Sequence, residues 1–369
     1  MSSLLKDRYN LAFYEMLLST VMDIIPHFNK QSFLKSIFNK EFEQMELKAR
    51  MKHTSQIFHT HLPNDFPLVA RYWIQIAQQL LEKKKQSYGL ELMFIPDYIE
   101  TYGIDFLKES TEAFEKITEL SSCEFAVRPF IIRYEKQMLK KLLKWSKHPN
   151  HHVRRLASEG SRPRLPWAIA LNQFKKDPRP LLAILTQLKN DPSEYVRKSV
   201  SNHLNDISKD HPSILYQTIE AWKGKSKETD ALLKHASRTL LKKGDATILK
   251  YFHYHDHPEL ICDEFEIENK RIKIGDSLRF SFRLSNNSKK SVIARIEYGI
   301  HYLRSNGSHG LKVFKISERE LAAAEVLHVK RAQSFRVITT KTFYTGTQKL
   351  SIIINGKEKF LGSFDLYKS

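Results

Sequence analysis

Two stretches decide the fold: HPNHHVRRLASEG at His148–Gly160 and DPSEYVRKSVSNH at Asp191–His203. Both read x-Pro-x-x-x-Val-Arg-(Arg/Lys), and their valines, Val153 and Val196, lie 43 residues apart. Repeats of this length are typical of HEAT solenoids, in which stacked helix pairs bury apolar faces against their neighbours. A weaker copy, TDALLKHASRTLLKKGD, follows 37 residues later. The spacing therefore predicts helical repeats in this part of the chain.

The apolar periodicity changes once along the chain. Up to about residue 250, segments such as LKDRYNLAFYEMLLSTVMDII have the apolar spacing of amphipathic helices. From about residue 263, apolar and polar residues alternate as in strands, first at Leu278, Phe280, Phe282 and Leu284. About seven short strands of this kind fit an immunoglobulin-like sandwich. We predict a multidomain chain with an all-α HEAT-like-repeat solenoid over 1–255 and an all-β immunoglobulin-like sandwich over 263–369.

Charge points to a polyanionic partner. The 369 residues include 60 Lys and Arg against 41 Asp and Glu, a net charge of +19. Residues 128–179 are the most basic window, with 14 basic and three acidic residues. No secretory segment or membrane-spanning run is visible, and Cys123 and Cys262 lie far apart. We expect a soluble cytoplasmic protein, associated with the nucleoid if the polyanion is DNA.

Within the basic window, Glu159 is surrounded by arginines. Asn150 is suited to cap a helix that ends near Glu159 and Gly160, which puts this carboxylate in the last turn. A negative charge there opposes the helix dipole, at a cost of about 0.3 to 1 kcal/mol. Arg155, four residues earlier, offers an ion pair that would offset this cost. A structural ion pair and a functional acid are both open interpretations at this point.

After the helix, the order Arg162-Pro163-Arg164-Leu165-Pro166 excludes helical structure and places two arginines on a stiff loop. Pro166 suits the first turn of a following helix, which predicts that Trp167 lies at the exposed start of that helix, near Glu159. Core packing is the alternative for a lone tryptophan.

Two further acids accompany Glu159. Ser121 and Glu124 have the spacing of a capping box, a structural role that Glu124 can fill. Asp206 ends the helix of the next repeat as Glu159 ends its own, so both side chains are expected to face one groove. A solvated acid is the alternative for Asp206.

The strings CEFAVRPF, HVRRLASEG and RPRLPWA, with the Val-Arg repeats downstream, resemble the AlkC branch of the HEAT-like-repeat alkylpurine DNA glycosylases. The resemblance is specific over residues 123–206, and some members carry a C-terminal immunoglobulin-like domain. It implies excision of N3-methylated bases from DNA, with Glu124, Glu159 and Asp206 as active-site acids and Trp167 as the aromatic residue.

Carboxylates suit such a reaction, because an N3-alkylated adenine or cytosine is cationic and leaves without protonation. Charge develops on the deoxyribose, where a fixed carboxylate stabilises it and holds the attacking water. We expect neither cofactor nor metal, and we expect a monomer that binds double-stranded DNA with alkylated bases. The predicted phosphate-binding residues are Arg128, Arg154, Arg155, Arg162, Arg164, Arg197 and Lys198. In the strand-rich half they are Arg279, Lys289, Lys315 and Lys341. Helix capping is the alternative role for the arginines of the repeats.

Two other functions are open from the residues alone. Most HEAT solenoids are binding scaffolds without catalysis, and such a protein would use Glu159 only for stability or binding. A metal enzyme is suggested by alternate histidines at His253, His255 and His257, and by His148, His151 and His152. The histidine segment contains Pro258 and lies where the periodicity changes, which disfavours the metal enzyme.

Overall fold

The computed structural model describes residues 4–83, 90–338 and 341–368, and within them helices come first and strands follow, as predicted. The α-helices are α1 (Leu11–Ile24), α2 (Lys30–Ile37), α3 (Leu47–His61), α4 (Phe66–Glu82), α5 (Phe94–Tyr102), α6 (Leu107–Ile117), α7 (Val127–Arg133), α8 (Glu135–Trp145), α9 (His151–Glu159), α10 (Asn172–Lys176), α11 (Arg179–Leu188), α12 (Glu194–Ile207), α13 (Pro212–Trp222), α14 (Lys227–Ala236), α15 (Arg238–Lys242) and α16 (Ala246–Tyr251). The strands are β1 (Leu260–Ile267), β2 (Arg271–Lys273), β3 (Ser277–Asn286), β4 (Val292–Leu303), β5 (His309–Leu321), β6 (Val326–Ser334), β7 (Gly346–Ile354) and β8 (Lys357–Tyr367). No described helix is both long and apolar enough to cross a bilayer.

The chain forms two compact units. One contains the chain up to His211 together with Ala221–Ala236, and the other contains Pro212–Glu220 and the chain from Ser237 onward. The second unit therefore includes the short helices α15 and α16 as well as the strands. The compact units and the change of periodicity thus divide the chain at different residues.

The two related stretches form α9 and α12, which pack against each other within the first unit. Val153 and Val196 are both fully buried, so each repeat places its valine in the core. Arg154 donates through Nη1 to the carbonyl oxygens six and five residues earlier, at 2.9 and 2.7 Å. Arg197 makes the same two bonds at 2.6 and 3.0 Å. The repeat thus preserves a backbone contact that ties each helix to the turn before it.

The strands form two sheets that enclose one apolar core. A three-stranded sheet has the order β1-β3-β6, and a five-stranded sheet has the order β2-β8-β7-β4-β5. The alternating residues predicted to face inward on β3 are all buried: Leu278, Phe280, Phe282 and Leu284. They pack with inward residues of the other sheet, which include Ile296, Ile300, Leu350 and Ile352. The described residues contain eight strands, where the sequence predicted about seven.

Candidate active site

Helix α9 places Glu159 at its last position. The side chain of Asn150 accepts a hydrogen bond from the backbone N–H of His152 at 2.8 Å, which confirms the predicted N-cap. The helix ends at Glu159, as predicted, with Gly160 following in a right-handed conformation. A Cβ on Gly160 would lie 2.6 Å from Cγ1 of Val127, so close packing requires the glycine there. Glu159 is only 5% exposed.

The two carboxylate oxygens of Glu159 have different partners. Oε1 accepts a hydrogen bond from Nη1 of Arg162 at 2.6 Å, and Nη2 of Arg155 lies 3.8 Å away. Oε2 lies 2.6 Å from the hydroxyl of Ser199, which comes from α12. The predicted partner Arg155 is therefore present, and Arg162 makes the shorter contact.

Arg162 joins Glu159 to Asp206. Its Nε and Nη2 atoms both lie 2.8 Å from Oδ2 of Asp206, and Arg162 as a whole is only 6% exposed. Lys209 contacts the other oxygen of Asp206 at 2.9 Å. Burial acts to lower the pKa of Arg162, but Glu159 and Asp206 outweigh that effect and raise the pKa above its usual value. Arg162 is therefore a permanent cation between two buried acids.

Glu124 extends this series on the other side. Its Oε2 accepts hydrogen bonds from Arg155 and from the hydroxyl of Ser122, the latter at 2.6 Å. The capping box suggested for Ser121 and Glu124 is wrong, because α7 starts only at Val127 and its cap makes no side-chain hydrogen bond. The carboxylate of Glu124 instead turns to Arg155.

The three predicted acids thus lie in one continuous ion-pair chain, in the order Glu124, Arg155, Glu159, Arg162 and Asp206. Each arginine contacts the acid on either side of it. Each carboxylate therefore lies next to at least one cation; Glu159 and Asp206 are buried, and Glu124 is partly exposed. With Lys209 included, three acids face three cations. The ion-pair chain supplies fixed, oriented carboxylates and little net charge.

Trp167 lies on a loop, and the helix predicted to begin at Pro166 is wrong. Residues 161–171 are not helical, and α10 begins only at Asn172. The buried guanidinium of Arg128 donates to the carbonyl oxygens of Gly160, Arg162 and Ile169 at 3.0, 2.8 and 2.7 Å, which holds these carbonyls in the loop. Trp167 has a φ of 66° and is 87% exposed, so core packing does not account for it. Strained backbone at an exposed aromatic residue points to a functional role.

The predicted phosphate-binding residues divide by exposure. Arg128 is fully buried and donates to three backbone carbonyl oxygens, and burial lowers its pKa to about 10. The structure therefore gives Arg128 an internal role instead of a phosphate contact. Arg154 makes a two-pronged ion pair with Asp191, at 2.6 and 2.9 Å. Arg164 makes the equivalent pair with Asp210, with 37% of its side chain exposed. Lys198 is exposed on α12.

Three contacting residues were missed by the sequence analysis. Ser199 and His203 lie with Asp206 at i, i+4 and i+7 on α12, a helical spacing that places all three on one face. Tyr195 lies under Arg155, whose guanidinium carbon is 4.7 Å from the ring centroid. The i, i+4, i+7 spacing with Asp206 is the sequence signal that would have identified Ser199 and His203.

The histidines that suggested a metal lie on a turn and on the segment after α16. The rings of His253 and His255 are 6.3 Å apart, and those of His255 and His257 are 6.0 Å apart. Across residues 4–83, 90–338 and 341–368, no group of three or more His, Cys, Asp or Glu side chains is arranged to hold a metal ion.

Known protein families match both the helical part and the strand-rich part of the chain. Residues 35–240 match the family model of DNA alkylation repair enzymes, and residues 262–368 match that of the C-terminal Ig-like domain of uncharacterised protein YhaZ. The uncharacterized protein YhaZ of Bacillus subtilis (strain 168) is 41% identical over 355 residues, which are 96% of this chain and 97% of the relative.

One solved structure matches the whole fold: the Pseudomonas fluorescens alkylpurine DNA glycosylase AlkC bound to DNA containing an abasic site analog. It is 33% identical with a TM-score of 0.90, and the match covers 99% of this chain and 100% of that chain. The resemblance drawn from the sequence is thereby confirmed, together with the predicted fold class. The chain belongs to the family of DNA alkylation repair enzymes and carries an Ig-like domain of the YhaZ type after its helical part.

Proposed function

We propose that this protein is a DNA glycosylase that removes cationic N3-alkylated bases, 3-methyladenine and 3-methylcytosine, by hydrolysis of the N-glycosidic bond. The observation that carries the proposal is the ion-pair chain, which brings Glu124, Glu159 and Asp206 together in a family of DNA alkylation repair enzymes. The match to an alkylpurine DNA glycosylase over almost the full chain supports the same reaction class.

The acids act on the sugar and the water. A cationic base leaves as a neutral molecule, so the reaction requires no general acid at the base. As the bond to C1′ breaks, positive charge builds on the deoxyribose, and a preorganised carboxylate stabilises it. Glu159 is the principal residue in this role, since both of its oxygens are already held in place. It also positions the water that attacks C1′, with Glu124 and Asp206 in support.

Trp167 supplies the aromatic contact. Its ring is exposed, and the left-handed backbone presents it at the surface of a loop that Arg128 holds rigid. An aromatic face attracts a cation and stacks on a flat base or sugar. We assign it contact with the damaged nucleotide.

Phosphate binding falls to the exposed cations. Of the residues predicted for this role in the helical part, Lys198 is exposed and Arg164 is partly exposed, while Arg155 and Arg162 hold the catalytic acids. In the Ig-like domain Arg279 and Lys289 are exposed. Lys315 is paired with Glu318 at 2.8 Å, and Lys341 lies over the ring of Tyr302. Backbone binding from this domain therefore rests mainly on Arg279 and Lys289.

The test compares wild-type protein with the Glu159→Gln variant on duplexes that contain 3-methyladenine or 3-methylcytosine, at matched salt. The variant keeps the size of the side chain and one acceptor oxygen but removes the charge, so we expect base release to fall at least 100-fold with DNA affinity retained. The same loss in release and affinity would contradict a catalytic role for Glu159. Wild-type protein that binds DNA without releasing either base would instead favour the non-enzymatic scaffold.

The Ig-like domain is tested through salt dependence. Removal of the chain after residue 258 should weaken DNA binding and reduce the slope of log affinity against log salt. The shortened protein makes fewer phosphate contacts, so its binding releases fewer counterions. An Arg279→Gln, Lys289→Gln double variant of the full chain should reduce the slope by about two. An unchanged slope in both proteins would contradict DNA binding by this domain.

A further inference from the structure

Helix α12 presents a row of polar residues to the end of α9. Ser199, His203 and Asp206 lie on one face of α12, and all three are buried. Each contacts the segment around Glu159: Ser199 reaches its carboxylate, His203 the carbonyl oxygen of Ser158, and Asp206 the guanidinium of Arg162. Burial of polar side chains destabilises a protein unless they are hydrogen-bonded. Three such residues on one face, all in contact with the end of α9, therefore indicate a common structural role.

Ser199 lies between two oxygen atoms. Its Oγ is 2.6 Å from Oε2 of Glu159 and 2.9 Å from Oγ of Ser158. A hydroxyl has one proton, and an ionised carboxylate is the stronger acceptor, so that proton belongs to the bond with Glu159. The hydroxyl of Ser158 is then free to donate to Ser199, and such a series strengthens the bond to the carboxylate.

The bond from Ser199 fixes the rotation of the carboxylate. The terminal torsion of a glutamate has a broad energy profile, so one bond to Arg162 does not set the plane of its two oxygens. Arg162 holds Oε1 from the loop after α9, and Ser199 holds Oε2 from a different helix. Two anchors on the two oxygens define that plane.

His203 supports this arrangement through the main chain. Its Nδ1 lies 2.9 Å from the carbonyl oxygen of Ser158, which requires a proton on Nδ1. Burial lowers the pKa of His203 to about 4, so the ring is neutral at physiological pH. Ser158, directly before Glu159, is therefore fixed from α12 at its backbone and at its hydroxyl.

We propose that Ser199 is a positioning residue for Glu159: its hydroxyl orients the carboxylate toward C1′ and the attacking water without touching DNA. This inference rests on the proposed glycosylase function. Ser199 is 2% exposed, which leaves no surface for a contact with the substrate. Its effect must therefore pass through Glu159.

The test uses Ser199→Ala with Ser201→Ala as a matched control. Ser201 is also 2% exposed on α12, but its hydroxyl donates to the carbonyl oxygen of Lys198 at 2.9 Å. Single-turnover release of 3-methyladenine and affinity for a duplex with an abasic-site analog are measured for both variants and wild type. We expect Ser199→Ala to lose about 10- to 100-fold in rate, the value of a hydrogen bond to a charged group, with affinity within twofold of wild type.

The control and a conservative variant sharpen the result. Ser201→Ala should release the base within about threefold of wild type, and Ser199→Cys, a weaker donor of similar size, should fall between serine and alanine. Equal rates in Ser199→Ala and Ser201→Ala would overturn the proposal. Absence of release by wild type would instead overturn the proposed function, so the two failures are distinct.

Discussion

Arg162 and Arg164 lie two residues apart on the same loop, and their different surroundings predict different roles. Arg162 is buried between Glu159 and Asp206, whereas Arg164 pairs with Asp210 at the surface. Replacement of each by methionine keeps most of the side-chain length and removes the charge. Arg162→Met leaves two buried carboxylates without their shared cation, while Arg164→Met breaks one exposed pair.

The expected loss of unfolding free energy depends on how deeply each arginine is buried. Loss of one partner from a buried ion pair costs about 3 to 5 kcal/mol. Lys209 still contacts Asp206 at 2.9 Å, and Ser199 still contacts Glu159, so we expect the low end, about 3 kcal/mol. For a unit of this size, that free energy corresponds to a fall in Tm of roughly 6 to 12 °C. Arg164→Met should cost about 0 to 1 kcal/mol.

Urea unfolding at pH 7.5 and DNA binding at several salt concentrations separate the two roles. Arg164→Met should leave the free energy of unfolding almost unchanged and reduce the salt slope of DNA binding by about one. Arg162→Met should lower the free energy of unfolding and leave the salt slope of DNA binding almost unchanged. The reasoning is refuted if Arg162→Met unfolds at the wild-type urea concentration and lowers the salt slope, since Arg162 would then bind phosphate.

Three further predictions concern single residues. Trp167→Gly should leave the folded state as stable or up to about 1 kcal/mol more stable, because glycine tolerates the positive φ, yet it should slow base release; a fall in Tm without a change in release would contradict the assigned contact. Burial lowers the pKa of His203 from 6.5 to about 4, so its neutral form is favoured by folding and stability falls as pH drops from 6.5 toward 4. His203→Asn keeps a donor for the carbonyl oxygen of Ser158. In urea unfolding, the variant should lose about 2 kcal/mol less stability than wild type between pH 7.5 and pH 5. An unchanged pH dependence would exclude His203 as the cause of the stability loss. Burial, followed by the charge of Asp97, raises the pKa of Glu100 from 4.5 to about 7, so its protonated form is favoured by folding and stability is lost as pH rises from 4.5 through 7. Glu100→Gln should therefore stabilise the protein at pH 8 by up to about 3 kcal/mol and have little effect at pH 4, and equal effects at both pH values would contradict this.

Local sequence signals predicted the features that depend on neighbouring residues. Asn150, the apolar spacing from Val153 and the position of Gly160 gave the correct limits of α9, because capping and burial act within one or two turns. Alternation at Leu278 to Leu284 predicted the inward face of β3 for the same reason. Repeat spacing indicated that α9 and α12 are equivalent.

Contacts between distant residues decided what the sequence did not show. A helix after Pro166 was a reasonable expectation from the local sequence, but Arg128 binds carbonyl oxygens of the loop from more than 30 residues away. Ser199 reaches Glu159 across 40 residues, and Glu124 prefers Arg155 to a local cap. Such bonds depend on how helices stack, which single-segment patterns do not contain.

The most direct test of the central claim is the dependence of base release on the charge of the leaving base. Wild-type protein is incubated in excess with duplexes that contain 3-methyladenine, 3-methylcytosine or the neutral base hypoxanthine, and the free base is quantified by chromatography. Without a general acid, we predict release of the cationic bases, with loss in Glu159→Gln, and no release of hypoxanthine above the uncatalysed rate. Release of hypoxanthine at a comparable rate, or release of the cationic bases by Glu159→Gln at the wild-type rate, would contradict the account.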